Sequence, residues 1–162
     1  MVQKRLVDKT SPTVAGVMAR RLLDVFPMPD RTARTTTRTR GVIVLVEDDD
    51  ALRETLRIEL EMCTYRVFDF DSAEAALRDP PECPSLAILD YRLPRMNGLD
   101  LLGALRARYP ALPAIIVSSD CSESLVPNGP GLPAARLLRK PFARSALLSE
   151  IEDLVPRPNG SM

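Results

Sequence analysis

The chain predicts an α/β fold: a doubly wound five-stranded parallel sheet with flanking helices and a short or degenerate fourth helix. Short apolar runs recur at Val42–Val46, Leu86–Leu89, Ala114–Val117 and Leu137–Leu138. Continuous hydrophobicity, rather than alternation, marks strands covered on both faces. Stretches with helical spacing separate the runs, as the crossovers between parallel strands require. With 162 residues, 45% hydrophobic and 27% charged, the chain can bury one real core.

Taken in order, Val42–Val46 is the first strand. A helix follows over Asp50–Cys63, with Leu52, Leu56 and Leu60 on one face. Arg66–Phe70 is the second strand. Asp71 or Ser72 caps a short helix that runs to Arg78, beyond which Pro80-Pro81 forbids continuation. Ser85–Leu89 is the third strand, and Asn97–Arg108 a helix with Leu101, Leu102 and Leu105 turned inward. Ala114–Val117 is the fourth strand. Between Ser118 and Lys140 stand Pro127, Asn128, Gly129, Pro130, Gly131 and Pro133. That density of Pro and Gly confines the fourth helix to about Ser122–Val126. Ala135–Leu138 is the fifth strand. Ala143–Val155 is the last helix, stopped by Pro156 and Pro158.

These elements place the folded domain at 41–155, with a tail at 156–162. Residues 1–40 form a basic extension. Ser11-Pro12 can start a helix over 12–26, with an apolar stripe of Val14, Val17, Met18, Leu22, Val25 and Phe26. Pro27 ends it. Residues 27–40 read as a flexible linker containing the low-complexity stretch Asp30–Arg40. Net charge is zero overall, yet 1–40 carries +6 and 41–162 carries −6. The favoured reading of the extension is a helix that frays or docks weakly. A partner-binding or homodimerising helix is the second reading. Nucleic acid or anionic lipid is the third, without an aromatic or base-reading pattern to support it.

Composition excludes whole classes of chemistry. There is no histidine, so Ser-His-Asp and Cys-His catalysis, His-based metal sites and phosphohistidine are all absent. No apolar stretch approaches the ~20 residues of a membrane helix, and Met1–Thr10 lacks a signal peptide's apolar region. The expectation is no membrane partner. Cys63, Cys83 and Cys121 are scattered without a CxxC, which suits reduced thiols in the cytoplasm. The chain ends soon after Pro158, so no DNA-binding domain is expected to follow.

What remains is carboxylates, a hydroxyl and an amine at strand ends. Glu47-Asp48-Asp49-Asp50 follows the first strand, Asp90 the third, Ser118 ends the fourth, and Lys140-Pro141-Phe142 follows the fifth. In an open parallel sheet, positions just past the strands' carboxyl ends meet in one crevice. Asp49 and Asp50 are expected to serve the helix start, where acids suit the dipole. Glu47 and Asp48 directly follow an apolar strand. Crowded carboxylates resist ionising together unless a cation neutralises them, and a hard, oxygen-seeking Mg²⁺ fits. The Lys140–Pro141 bond is a candidate cis peptide.

These residues resemble the receiver domain of two-component response regulators. The matching set is Glu47-Asp48, Asp90-x-x-Leu93-Pro94-x-Met96-Asn97-Gly98, Ser118 and Lys140-Pro141-Phe142, spaced 42, 28 and 22 residues from Asp48 to Asp90 to Ser118 to Lys140. The resemblance implies strand order 2-1-3-4-5. It implies Asp90 as phosphoacceptor, with Ser118 and Lys140 completing the catalytic set. It implies Mg²⁺ bound by Glu47, Asp48, Asp90 and the main-chain carbonyl of Arg92, with Glu47 acting through water. The partners implied are a histidine kinase or phosphotransfer protein and an unidentified downstream protein. On this reading the chain is no enzyme beyond its own phosphorylation and dephosphorylation. Leu137 stands where family members often carry Tyr or Phe, so output through an aromatic switch is not expected. Arg92 and Asp120 are expected to touch across the phosphoryl site. Two alternatives compete: a pseudo-receiver adaptor that never uses the site, and a haloacid-dehalogenase-type phosphatase suggested by Asp48-x-Asp50.

Overall fold

The computed structural model describes residues 39–119 and 134–155. The expected helix at 12–26, nearly all of the 27–40 linker, the short helix at 122–126, Asp120 and the 156–162 tail lie outside the described residues. The elements are β1 (Val42–Val46), α1 (Asp50–Met62), β2 (Arg66–Phe70), α2 (Ala73–Arg78), β3 (Leu86–Asp90), α3 (Gly98–Arg108), β4 (Ala114–Ser118), β5 (Ala135–Arg139) and α4 (Arg144–Leu154). The five strands form one sheet in the order β2-β1-β3-β4-β5, and every pairing is parallel. Among the described residues, no helix is long and apolar enough to cross a membrane.

Alternate residues of each strand face opposite layers. Val44, Val46, Ala87, Leu89, Ala114 and Ile116 pack with Ala73 and Ala76 of α2 and with Leu101, Leu102 and Leu105 of α3. Ile43, Leu45, Leu86, Ile88, Ile115 and Val117 pack with Leu56 and Leu60 of α1 and with Leu147 and Ile151 of α4. Every residue of β3 and β4 is buried, which is why those strands read as unbroken apolar runs. The helix faces inferred from spacing are the buried ones. Leu56, Leu60, Leu101, Leu102 and Leu105 are buried, and Leu52 packs half-buried in the layer of Leu56 and Leu60.

The helix starts are fixed by side chains. Asp49 accepts from the Leu52 N–H at 2.9 Å. Ser72, not Asp71, caps α2 by accepting from Ala75 N–H at 3.4 Å. Asn97 accepts from both Leu99 and Asp100 N–H groups at 2.9 Å. Such caps satisfy donors that the first helical turn leaves free. Strand ends run one residue past expectation at Asp90, Ser118 and Arg139, because the ladder continues: Asp90 pairs with Val117, and Ser118 with Arg139. β3 also starts one residue late, at Leu86 rather than Ser85. The helices are correspondingly shorter, with Cys63, Asn97, Ala143 and Val155 acting as caps.

Candidate functional site

The strand ends bring four of the expected side chains together. Lys140, one residue beyond β5, places its Nζ 2.8 Å from Glu47 Oε2 and 3.1 Å from Asp90 Oδ2. Glu47, Asp48 and Asp90 each offer a carboxylate oxygen within 4.8 Å of the others. Glu47 is 2% exposed and Asp90 7%, whereas Asp48 is exposed. Asp90 is the last rung of β3, so its carboxylate is aimed by the sheet itself. Its second oxygen, Oδ1, accepts the Arg92 N–H at 3.2 Å.

Ser118 is fully buried at the end of β4, the strand beside β3. Its carbonyl accepts the Lys140 N–H at 2.8 Å, which joins the ends of β4 and β5 at the lysine. The Lys140–Pro141 peptide is cis, as its sequence context suggested. Gly98 explains the turn that follows Asp90. A Cβ at this position would collide with the main-chain carbonyl of Asp90, and the Gly98 N–H bonds the Tyr91 carbonyl at 3.0 Å. Only glycine permits that approach of α3 to the end of β3.

The electrostatics follow from burial. Desolvation pushes the Glu47 carboxyl above its ordinary value; the Lys140 hydrogen bond opposes this and the nearby Asp90 charge adds to it. For Lys140, burial works to lower the pKa, but the bond to Glu47 and the charges of Glu47 and Asp90 outweigh it and raise the ammonium's pKa. One ammonium therefore faces three carboxylates. The cluster carries surplus negative charge and presents only hard oxygen donors, which suits a small divalent cation that keeps part of its hydration shell. The residues present fit Mg²⁺.

Asp50 does not join this group. It heads α1 and pairs with Arg53 at 2.5 Å, so an Asp48-x-Asp50 pair acting on one phosphate has no support. Leu137 is half-buried against the α2–α3 layer. Arg53 was not singled out from sequence. A charged residue in the second turn of a helix looks like a surface residue until the fold closes over it. Its Nη1 donates to the Glu47 carbonyl at 2.8 Å, and its side chain is only 16% exposed.

Comparison with known proteins agrees with this geometry. The family described as "Response regulator receiver domain" matches residues 43–152. The response regulator protein FleR of Pseudomonas aeruginosa is 41% identical over 116 residues, covering 71% of this chain and 24% of FleR. The chain spans about half the length of the other curated relatives it matches. Among solved structures, the non-phosphorylated HemR receiver domain from Leptospira biflexa is 31% identical with a TM-score of 0.65, covering 75% of this chain and 99% of that one. Response regulator TrrA from Thermotoga maritima, in complex with Mg(2+)-BeF, is 24% identical with a TM-score of 0.61, covering 70% and 98%.

Proposed function

Because the chain belongs to the response regulator receiver domain family, we propose that residues 41–155 accept a phosphoryl group on Asp90 from the phosphohistidine of a partner kinase or phosphotransfer protein. The observation that carries this reading is the meeting of Asp90, Glu47 and Lys140 at 2.8–3.1 Å on the rim of the sheet, with Asp48 beside them. An Asp90 carboxylate oxygen forms the new P–O bond as the donor's P–N bond breaks, and the freed imidazole takes a proton from solvent. Lys140 pairs with the incoming phosphoryl oxygens. The Arg92 N–H holds the Asp90 carboxylate in orientation, and the Ser118 hydroxyl donates to the phosphoryl group once it has arrived. Positioning and charge neutralisation are most of what phosphoryl transfer requires. Glu47 (through water), Asp48, Asp90 and the Arg92 carbonyl would hold Mg²⁺. When bound, the ion neutralises the phosphoryl oxygens and the crowded carboxylates together.

The domain turns over no external substrate and catalyses only its own phosphorylation and dephosphorylation. Its output passes through protein contacts to a downstream partner, and not through an aromatic rotamer at position 137. Acetyl phosphate tests the reading directly. Intact-mass analysis should show one phosphoryl group on the wild type with MgCl₂, none with EDTA, and none on Asp90→Asn. Wild type left unlabelled, or label retained on Asp90→Asn, would overturn it.

A further inference from the structure

Arg53 bridges three parts of the chain around the acidic turn. Its Nη1 donates to the Glu47 main-chain carbonyl at 2.8 Å. Its Nη2 pairs with Asp50 at 2.5 Å on the first turn of α1, and its Nε lies 3.5 Å from Asp69 on β2. Its own N–H bonds the Asp49 carbonyl at 2.9 Å. The guanidinium therefore holds the peptide that joins Glu47 to Asp48 between the end of β1, the start of α1 and the edge strand β2. That peptide matters because Asp48 is the exposed member of the carboxylate trio. Glu47 is held by Lys140, and Asp90 by Lys140 and the Arg92 N–H. Among the described residues, no such partner holds the Asp48 carboxylate. Its direction is set by its own backbone, and Arg53 fixes that backbone.

We propose that Arg53 is a positioning residue for the cation site: it clamps the Glu47 carbonyl so that the Asp48 carboxylate stays aimed at the ion held with Glu47 and Asp90. This inference rests on the receiver reading of the site. A second consequence follows from the same contacts. Asp50 and Asp69 have the Arg53 guanidinium between them, so these two acids do not compete with the trio for a divalent ion. Lysine could supply the charge but not three directed donors from one planar group.

The test is metal binding, independent of phosphorylation. Mg²⁺ is titrated by calorimetry into the metal-free full chain as wild type, Arg53→Met, Arg53→Lys and Asp48→Asn, with far-ultraviolet circular dichroism to establish that each variant is folded. Loss of an outer partner to a ligand commonly weakens metal affinity ~10–100-fold. Arg53→Met should raise the Mg²⁺ dissociation constant by about tenfold with an unchanged folded spectrum, and Arg53→Lys should fall between Met and wild type. A variant that is folded yet binds Mg²⁺ as the wild type does would overturn the clamp. Should Arg53→Met fail to fold, Arg53→Lys carries the test, and wild-type affinity there overturns it equally. Wild type that binds no Mg²⁺, or binds it no better than Asp48→Asn, removes the receiver reading of the site and the clamp with it. Wild type that binds and loses affinity with Asp48→Asn, but not with Arg53→Met, removes the clamp alone.

Discussion

Replacing Asp48 with Asn should stabilise the fold in the absence of magnesium and abolish its response to magnesium. The carboxylate oxygens of Glu47, Asp48 and Asp90 lie within 4.8 Å of one another. Two unit charges at that separation repel by ~0.9 kcal/mol at the dielectric of water and ~3.5 kcal/mol at an effective value of 20. Asp48 is exposed, so the lower figure applies to each of its two repulsions. Lys140, already engaged by Glu47 and Asp90, offsets part of that. The expected net gain for Asp48→Asn in EDTA is ~1 kcal/mol, and it should shrink in 1 M NaCl, where the screening length falls to ~3 Å. The assay is urea unfolding followed by circular dichroism, with EDTA or MgCl₂ set at ten times the measured dissociation constant. At that ratio a ligand bound only by the folded state adds ~1.4 kcal/mol. Wild type should gain that amount, and Asp48→Asn nothing. Destabilisation of Asp48→Asn in EDTA would refute the reasoning, because the carboxylate would then be a structural acceptor rather than one of a crowd of repelling charges.

Gly98→Ala should cost ~1–3 kcal/mol and lower the phosphorylation rate, since its Cβ would press on the Asp90 carbonyl. Gly103→Ala is the matched control. That residue sits inside α3 with open space around it, so alanine should add ~0.5–1 kcal/mol in the same urea series. Lys140→Met should alter the alkaline limb of stability. The Lys140 pKa is raised in the folded state, so its contribution is fully present below the ordinary 10.5 and is lost as pH rises through the folded value. Wild type should lose stability more steeply than Lys140→Met above that pH, and equal slopes would contradict the pairing. Asn97→Ala should cost ~1 kcal/mol, measured in urea, because it removes the acceptor for two N–H groups at the start of α3.

Much of this molecule was legible in one dimension. Buried strands must be apolar along their whole length, so Val42–Val46 and the Leu86–Leu89 and Ala114–Val117 runs announced themselves, and parallel strands deliver their following residues to one edge. Glu47, Asp48, Asp90 and Lys140 were therefore expected at one edge, where the structure brings them together. Local chemistry also marked the acidic helix start at Asp49, the cap at Asp71 or Ser72 and the proline stop after Arg78, whereas the cap at Asn97 emerged only from the structure. Other features depend on distance through space between parts of the chain remote in sequence. Whether Asp90 is the last rung of its strand or the first residue of its loop depends on a register with Val117, which local pattern does not encode. That Gly98 must lack a side chain follows from how closely α3 meets the end of β3. Arg53 is a surface-type residue in any helical reading and becomes half-enclosed only when β2 brings Asp69 alongside it. Hydrophobic patterning specifies the elements because water acts on each residue where it stands; the bridging of remote charges waits on packing, because Coulomb forces in salt water are screened beyond ~10 Å and need the fold to bring the partners within reach.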